Sequence, residues 1–250
     1  MNISGKKCLV IGASSGIGAE LSRQLAGHGC PVALVSRREI ELHALSADIN
    51  RIAGRELAKY YLADVTDFAA APIAIQQIID DLGGLDVVIY SSGIMPRLGL
   101  EEYSTDKDIS IVEVNFLGAI AWLNPIAERF TKTKSGVIVG IGSVAGDRGR
   151  RGAPVYNASK AALETYLEAL RNRLGQYGVQ VTTIKPGFIH TPMTEGLKIP
   201  IPGGSPQKTA SDIITAVENG AVVAYTPGFW RWIMLFIKLL PSAIMQKLSF

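Results

Sequence analysis

With 250 residues, 48% hydrophobic and 19% charged, the chain has ample apolar material for one large α/β domain and excludes a disordered one. A net charge of +3 is too weak to mark a nucleic-acid binder. Two cysteines (Cys8, Cys30) and three scattered histidines (His28, His43, His190) exclude a disulfide scaffold and a zinc-type ligand set, so no metal site is expected. The cysteines fall in or beside apolar strands and read as reduced. No signal-peptide h-region follows Met1, and a cytoplasmic protein is expected.

The apolar run Cys8–Ile11 predicts a strand buried on both faces, and a helical pattern follows it through Ala26. Further strands are expected at Val32–Ser36, 60–63, 86–90, 136–142, 179–184 and 221–225. Helices are expected at 39–53, 68–82, about 107–129 (kinked at Pro125) and 207–218, with another that carries Tyr156 and Lys160 near its start and runs to about Tyr177. A loop rich in Pro and Gly fills 192–206. The alternation predicts one doubly wound, Rossmann-like α/β domain over 1–226, with a mostly parallel seven-stranded sheet and helices on both faces. Residues 227–250 are expected to form an amphipathic or apolar C-terminal extension of the same domain, with an apolar helix.

Chemistry gathers at the strand ends. Gly12-Ala13-Ser14-Ser15-Gly16-Ile17-Gly18 joins the first strand to the first helix, the context a dinucleotide turn needs. The same letters satisfy G-x-S-x-G, with Ser14 as a hydrolase nucleophile. That reading is disfavoured, because only His190 lies late enough to complete a triad. Ser36, Arg37 and Arg38 end the second strand where an NAD site would place an acid; they argue for a 2′-phosphate and NADP(H), Arg37 more than Arg38. The plainer alternative is that both arginines open a solvated helix. Tyr156 and Lys160, four apart, share a helix face; a cation there lowers a phenol's pKa and makes an acid/base pair.

Taken in order, Gly12/Gly16/Gly18, Asp64, Ser91-Ser92-Gly93, Asn115, Ser143, Tyr156/Lys160 and Pro186-Gly187 resemble the short-chain dehydrogenase/reductase family across residues 6–226. Two departures are Ile11, for a usual threonine, and Ser91-Ser92, for usual Asn and Ala. The resemblance implies hydride exchange between NADP(H), or NAD(H), and a ketone or secondary alcohol. Tyr156 would be the acid/base, and Lys160 would hold the ribose and lower the Tyr156 pKa. Ser143 would bond the reacting oxygen, and Asn115 would seat a water beside Lys160. Ser14, Ser15, Ile17, Val65, Ser92 and Gly93 would line the cofactor, and Asp64 would accept from the adenine. Pro186, Gly187, Ile189 and Thr191 would meet the carboxamide. A homodimer or homotetramer is the family habit.

Two features lie outside the family pattern. Arg148, Arg150 and Arg151 form a basic loop between Ser143 and Tyr156, suited to an anionic substrate group or, equally, to solvent. The tail from Phe229 holds Trp, Phe, Leu, Arg231 and Lys238, with no acid after Glu218. A helix over 229–240 is too short to span a bilayer; it caps the cleft, joins a subunit interface or touches a membrane peripherally on its inner face. Segments 145–160 and 185–193 and the tail to Leu248 are similar to reductases of lipid-phosphate-linked 2-keto-pentose (decaprenylphosphoryl-2-ketoribose). A generic small-molecule or 3-ketoacyl reductase, or a non-catalytic nucleotide sensor, is the alternative.

Overall fold

A computed structural model describes residues 1–196 and 203–247; part of the 192–206 loop and Leu248 lie outside them. Cys8–Ile11 forms β1, and its side chains alternate between two cores. Cys8 and Val10 enter one cluster and Leu9 and Ile11 the other, all four at 0% exposure. Burial on both faces explains the unbroken apolar run.

After α1 (Gly16–Gly27) come β2 (Val32–Ser36), α2 (Glu39–Ala53), β3 (Ala58–Leu62), α3 (Ala71–Leu82) and β4 (Val87–Tyr90). The second half holds α4 (Thr105–Val112), α5 (Gly118–Thr133), β5 (Val137–Ile141), α6 (Pro154–Leu174) and β6 (Gln180–Pro186). It continues with α7 (Pro206–Glu218), β7 (Val223–Thr226), α8 (Trp230–Leu239) and α9 (Ser242–Met245). The strands form one parallel sheet in the order β3-β2-β1-β4-β5-β6-β7. Leu21 of α1, Leu42 of α2 and Ile213 of α7 pack on one face with Val10. Ile78 of α3, Trp122 of α5 and Leu163 of α6 pack on the other with Ile11.

Strand order reverses between β1 and β4, which opens a crevice at their C-terminal ends. Gly12 sits there at φ +90, and a Cβ on it would lie 2.6 Å from the Ser92 backbone nitrogen. Only glycine lets these strand ends meet.

The helix expected over 107–129 is interrupted, though not at Pro125. A π-helical turn at Glu113–Leu117 separates α4 from α5, and α5 runs through Pro125. The wide turn carries Asn115 inward at 0% exposure, consistent with the tendency of such turns to mark functional positions. The Tyr156 helix ends at Leu174 and finishes in a 3-10 turn, Gly175–Tyr177. In the extension, Trp230 and Met234 pack with Val144, Phe188 and Tyr225, which binds α8 to the sheet domain.

Candidate active site

One cleft of about 460 Å³ runs along the C-terminal strand ends and joins the glycine turn to Tyr156. Most of the expected cofactor residues line it: Gly12, Ser14, Ser15, Gly16, Ile17, Ser36, Arg37, Arg38, Val65, Ser92, Gly93, Pro186, Gly187, Ile189 and Thr191. Gly18 does not. It packs beneath the turn, where a Cβ would fall 2.2 Å from the Gly12 carbonyl oxygen, so glycine here lets α1 approach β1. Ser15 is the N-cap of α1 but its side chain makes no capping bond. The first-turn N–H groups are therefore left for an anion.

At the end of β2 the two arginines make different contacts. Arg37 lies 3.2 Å from the Asp64 carboxylate and is compensated by it. Arg38 instead folds across the glycine turn, donating to Ser14 Oγ (2.7 Å) and Ser15 Oγ (2.5 Å). Ser14 Oγ also lies 2.7 Å from Ser36 Oγ. Arg38 and three serines thus form a polar cluster, and among the described residues the one acid that the Arg38 charge meets is Glu41, at 3.8 Å. The Ser14 hydroxyl is committed to this cluster rather than to a histidine, which removes the basis for a hydrolase. Burial would raise the Asp64 carboxyl, but hydrogen bonds from Thr66 and Arg37 outweigh it and hold the group below its usual value. With those bonds, Asp64 braces the turn, and its neighbours Ala63 and Val65 face the cleft.

At the other end Tyr156, Ser143 and Lys160 meet. The Tyr156 ring is 8% exposed, and Lys160 Nζ lies 5.9 Å from its centroid and donates to the Ile141 carbonyl at 2.9 Å. Ser143 Oγ accepts from the Ala145 N–H at 3.1 Å, which leaves its O–H to donate to a substrate. Burial raises the phenol's pKa, and the neighbouring Ser143 hydroxyl and Arg150 charge pull it partly back. Arg150, rather than Lys160, is thus the cation that counters the burial. Burial also brings the Lys160 ammonium down to about 8, with Glu164 opposing. Asn115 commits its side chain to bracing: its Oδ1 accepts from the Ile94 N–H (2.8 Å) and its Nδ2 donates to Ser159 Oγ (3.1 Å).

Behind Ser143 lies a charged cluster that sequence reasoning missed. Glu164 Oε1 accepts the Ser143 backbone N–H at 3.0 Å, and its other oxygen lies 2.8 Å from Lys185 Nζ. Lys185 also reaches Asp147 at 2.7 Å, and Tyr225 donates to Asp147 at 2.8 Å. Cβ atoms on Gly142 and Gly146 would come within 2.5 and 2.6 Å of the Glu164 carboxylate, so the two glycines make its slot. Burial raises the Glu164 carboxyl while Lys185 opposes it; burial works against the Lys185 charge, but Glu164 and Asp147 prevail and raise it. The signal in the sequence was the series Tyr156, Lys160, Glu164 on one helix face, with Gly142 and Gly146 around Ser143.

The basic loop divides. Arg148 donates to the Lys238 and Leu240 carbonyls (3.3 and 3.1 Å) and holds the C-terminal end of α8. Arg151 is exposed and outside the cleft lining. Arg150 alone lines the cleft, and among the described residues no acid pairs with it. Ile94, Met95, Val144, Phe188 and Met193 give this end an apolar wall that the motifs did not indicate.

The model of the short chain dehydrogenase family matches residues 6–200. A trans-4-hydroxycyclohexanecarboxylate dehydrogenase from Sinomonas cyclohexanicum is 32% identical over 225 residues, covering 85% of each chain. An uncharacterized oxidoreductase from Myxococcus xanthus is 36% identical over 200 residues, covering 80% of this chain and 78% of the relative. Among solved structures, a short chain dehydrogenase/reductase family protein superposes with a TM-score of 0.79 at 26% identity, covering 90% of this chain and 97% of that one. Levodione reductase shares the fold, with a TM-score of 0.83 at 22% identity over 91% of this chain and 98% of its own. The chain belongs to the short-chain dehydrogenase/reductase family and is an oxidoreductase acting on CH–OH or C=O groups. The family implies a nicotinamide dinucleotide. The residues fit one: the glycine turn keeps side chains out of the crevice, the α1 N–H groups lie free, and Lys160 and Tyr156 stand at the far end.

Proposed function

We propose that the protein interconverts a ketone and a secondary alcohol with NADP(H), on a substrate that carries an anionic group. The observation that carries this reading is one cleft with Arg38 and its serines at one end and Tyr156, Ser143 and Arg150 at the other. A bound reduced nicotinamide supplies the hydride. Tyr156 donates its phenolic proton to the carbonyl oxygen, and the Ser143 hydroxyl hydrogen-bonds the same oxygen. Lys160 would hold the ribose hydroxyls.

NADP(H) is favoured because Arg38 offers a planar fork, backed by Ser14, Ser15 and Ser36, where a 2′-phosphate would lie. Arg38→Ala is expected to weaken NADPH binding roughly tenfold to a hundredfold and NADH binding by less than about threefold, measured by fluorescence titration. Equal losses for both cofactors would refute the preference.

The anionic group is supported by Arg150, partly buried beside Tyr156 with no acidic partner among the described residues, and by the hydroxylated carboxylate named for the Sinomonas cyclohexanicum relative. Arg150→Ala is expected to raise KM for keto acids or keto phosphates roughly tenfold to a hundredfold, and KM for neutral ketones by less than about threefold. Equal changes for both classes would restrict Arg150 to tuning Tyr156. The apolar wall suits a lipid-linked anion, with a 3-ketoacyl chain as the second reading.

A further inference from the structure

Helix α8 is apolar on two opposite sides. Its inner side, Trp230 and Met234, each 3% exposed, packs with Ile233 and Ile237 against the domain. Its outer side carries Trp232 (68% exposed), Leu235 (50%), Phe236 (67%) and Leu239 (76%), spaced three and four apart along one stripe. Phe229 before it and Ile244 after it are also exposed, at 44% and 46%. Single exposed apolar residues need no explanation; this many on one short segment marks a contact surface.

We propose that this stripe docks the protein in the interface of a lipid bilayer with anionic headgroups. The proposal stands independently of the redox reading. Charge complementarity selects the occupant. Arg231 and Lys238, two helical turns apart, share one edge of the stripe, and no acidic residue follows Glu218 in the sequence. The Asp147 side chain, 3.8 Å from Lys238, is 1% exposed and bonded to Lys185 and Tyr225, so its carboxylate presents no negative charge outward. A bilayer interface takes an apolar stripe flanked by cations whose heads reach the headgroups. A second copy fits less well, because a two-fold pairing of this face sets cationic edges together without an acid between them.

The mount is rigid. The Trp230 ring lies against Gly187, where a Cβ would fall 1.9 Å from its indole nitrogen, and Arg148 clamps the helix C-terminus. At 10 residues, α8 is about 15 Å long, half of a hydrocarbon core of roughly 30 Å, so it lies in the interface and does not span it. Its inner side touches Val144 and Phe188, both in the cleft wall. Docking therefore sets the cleft one side chain's thickness behind the membrane-bound helix, where a carbonyl compound with an apolar tail would be drawn.

The test is flotation of the full chain with vesicles of equal parts phosphatidylglycerol and phosphatidylcholine, against pure phosphatidylcholine. Binding to the mixed vesicles is expected to be roughly tenfold tighter or more, and to weaken with salt. A Trp232→Glu/Phe236→Glu variant, altered only at exposed positions, should keep its circular dichroism and melting temperature and lose vesicle binding by about tenfold or more. A wild-type chain that stays off both vesicle types overturns the proposal. So does a variant whose only change is dissociation of a stable dimer, which would give the stripe to a second copy.

Discussion

Replacing Tyr156 by phenylalanine is expected to lower turnover by roughly 10²–10⁴-fold while NADPH affinity stays within a few-fold. The substitution removes one hydroxyl from a buried ring and leaves the glycine turn, Arg38 and Lys160 in place. Its pH dependence follows from the sign of the phenol's shift. Burial raises the Tyr156 pKa, so the group remains protonated at neutral pH and ready to donate. Carbonyl reduction should then hold at neutral pH and decline as pH rises through the raised pKa. Alcohol oxidation needs the phenolate and should climb over the same range. Steady-state rates in both directions across pH check this, and a reduction rate indifferent to the hydroxyl would remove Tyr156 from the mechanism.

The second large effect is expected from Glu164→Ala. It strips Lys185 of one of two buried partners and leaves the Ser143 N–H without an acceptor. Breaking a buried ion pair typically costs about 3 kcal/mol or more, which for a chain of this size lowers Tm by roughly 6–12 °C. Turnover should fall as well, because Glu164 fixes the backbone that aims Ser143. Glu164→Gln separates the two roles: it keeps an acceptor for the Ser143 N–H and loses the charge facing Lys185. The Gln variant is expected to recover much of kcat at a Tm still below wild type. Equal kcat losses in both variants would show that charge, rather than positioning, is what Glu164 supplies.

These two residues also mark what could be read before folding. Tyr156, Ser143 and Gly12 were legible because strand ends and a tight turn admit few residue types, and their spacing repeats the chemistry's geometry. The parallel sheet was legible in β1, whose apolar run matches burial on both faces. Glu164 was not, because a glutamate in a helix reads as a solvated residue until the fold turns it inward. The basic loop failed differently. Three arginines within four consecutive positions look equivalent, and only loop geometry sends Arg148 to α8, Arg150 to the cleft and Arg151 to solvent. Arg37 and Arg38 look alike in the sequence, and only the fold sets Asp64 within reach of Arg37 and the glycine-turn serines within reach of Arg38. The π-turn between α4 and α5 had no signal of its own in the sequence; it goes with the inward placement of Asn115, while α5 runs on through Pro125.

Hydride transfer between NADP(H) and a carbonyl carbon, with Tyr156 as the proton donor, is tested most directly with NADPH deuterated at the transferring nicotinamide carbon. The cofactor is incubated with keto acids, keto phosphates, 3-ketoacyl compounds and neutral ketones, and products are read by mass spectrometry. Wild-type protein should place deuterium on the carbinol carbon of at least one anionic ketone, and Tyr156→Phe should not. Tight NADPH binding with no deuterium in any product, or equal transfer by the Tyr156→Phe variant, would contradict the account.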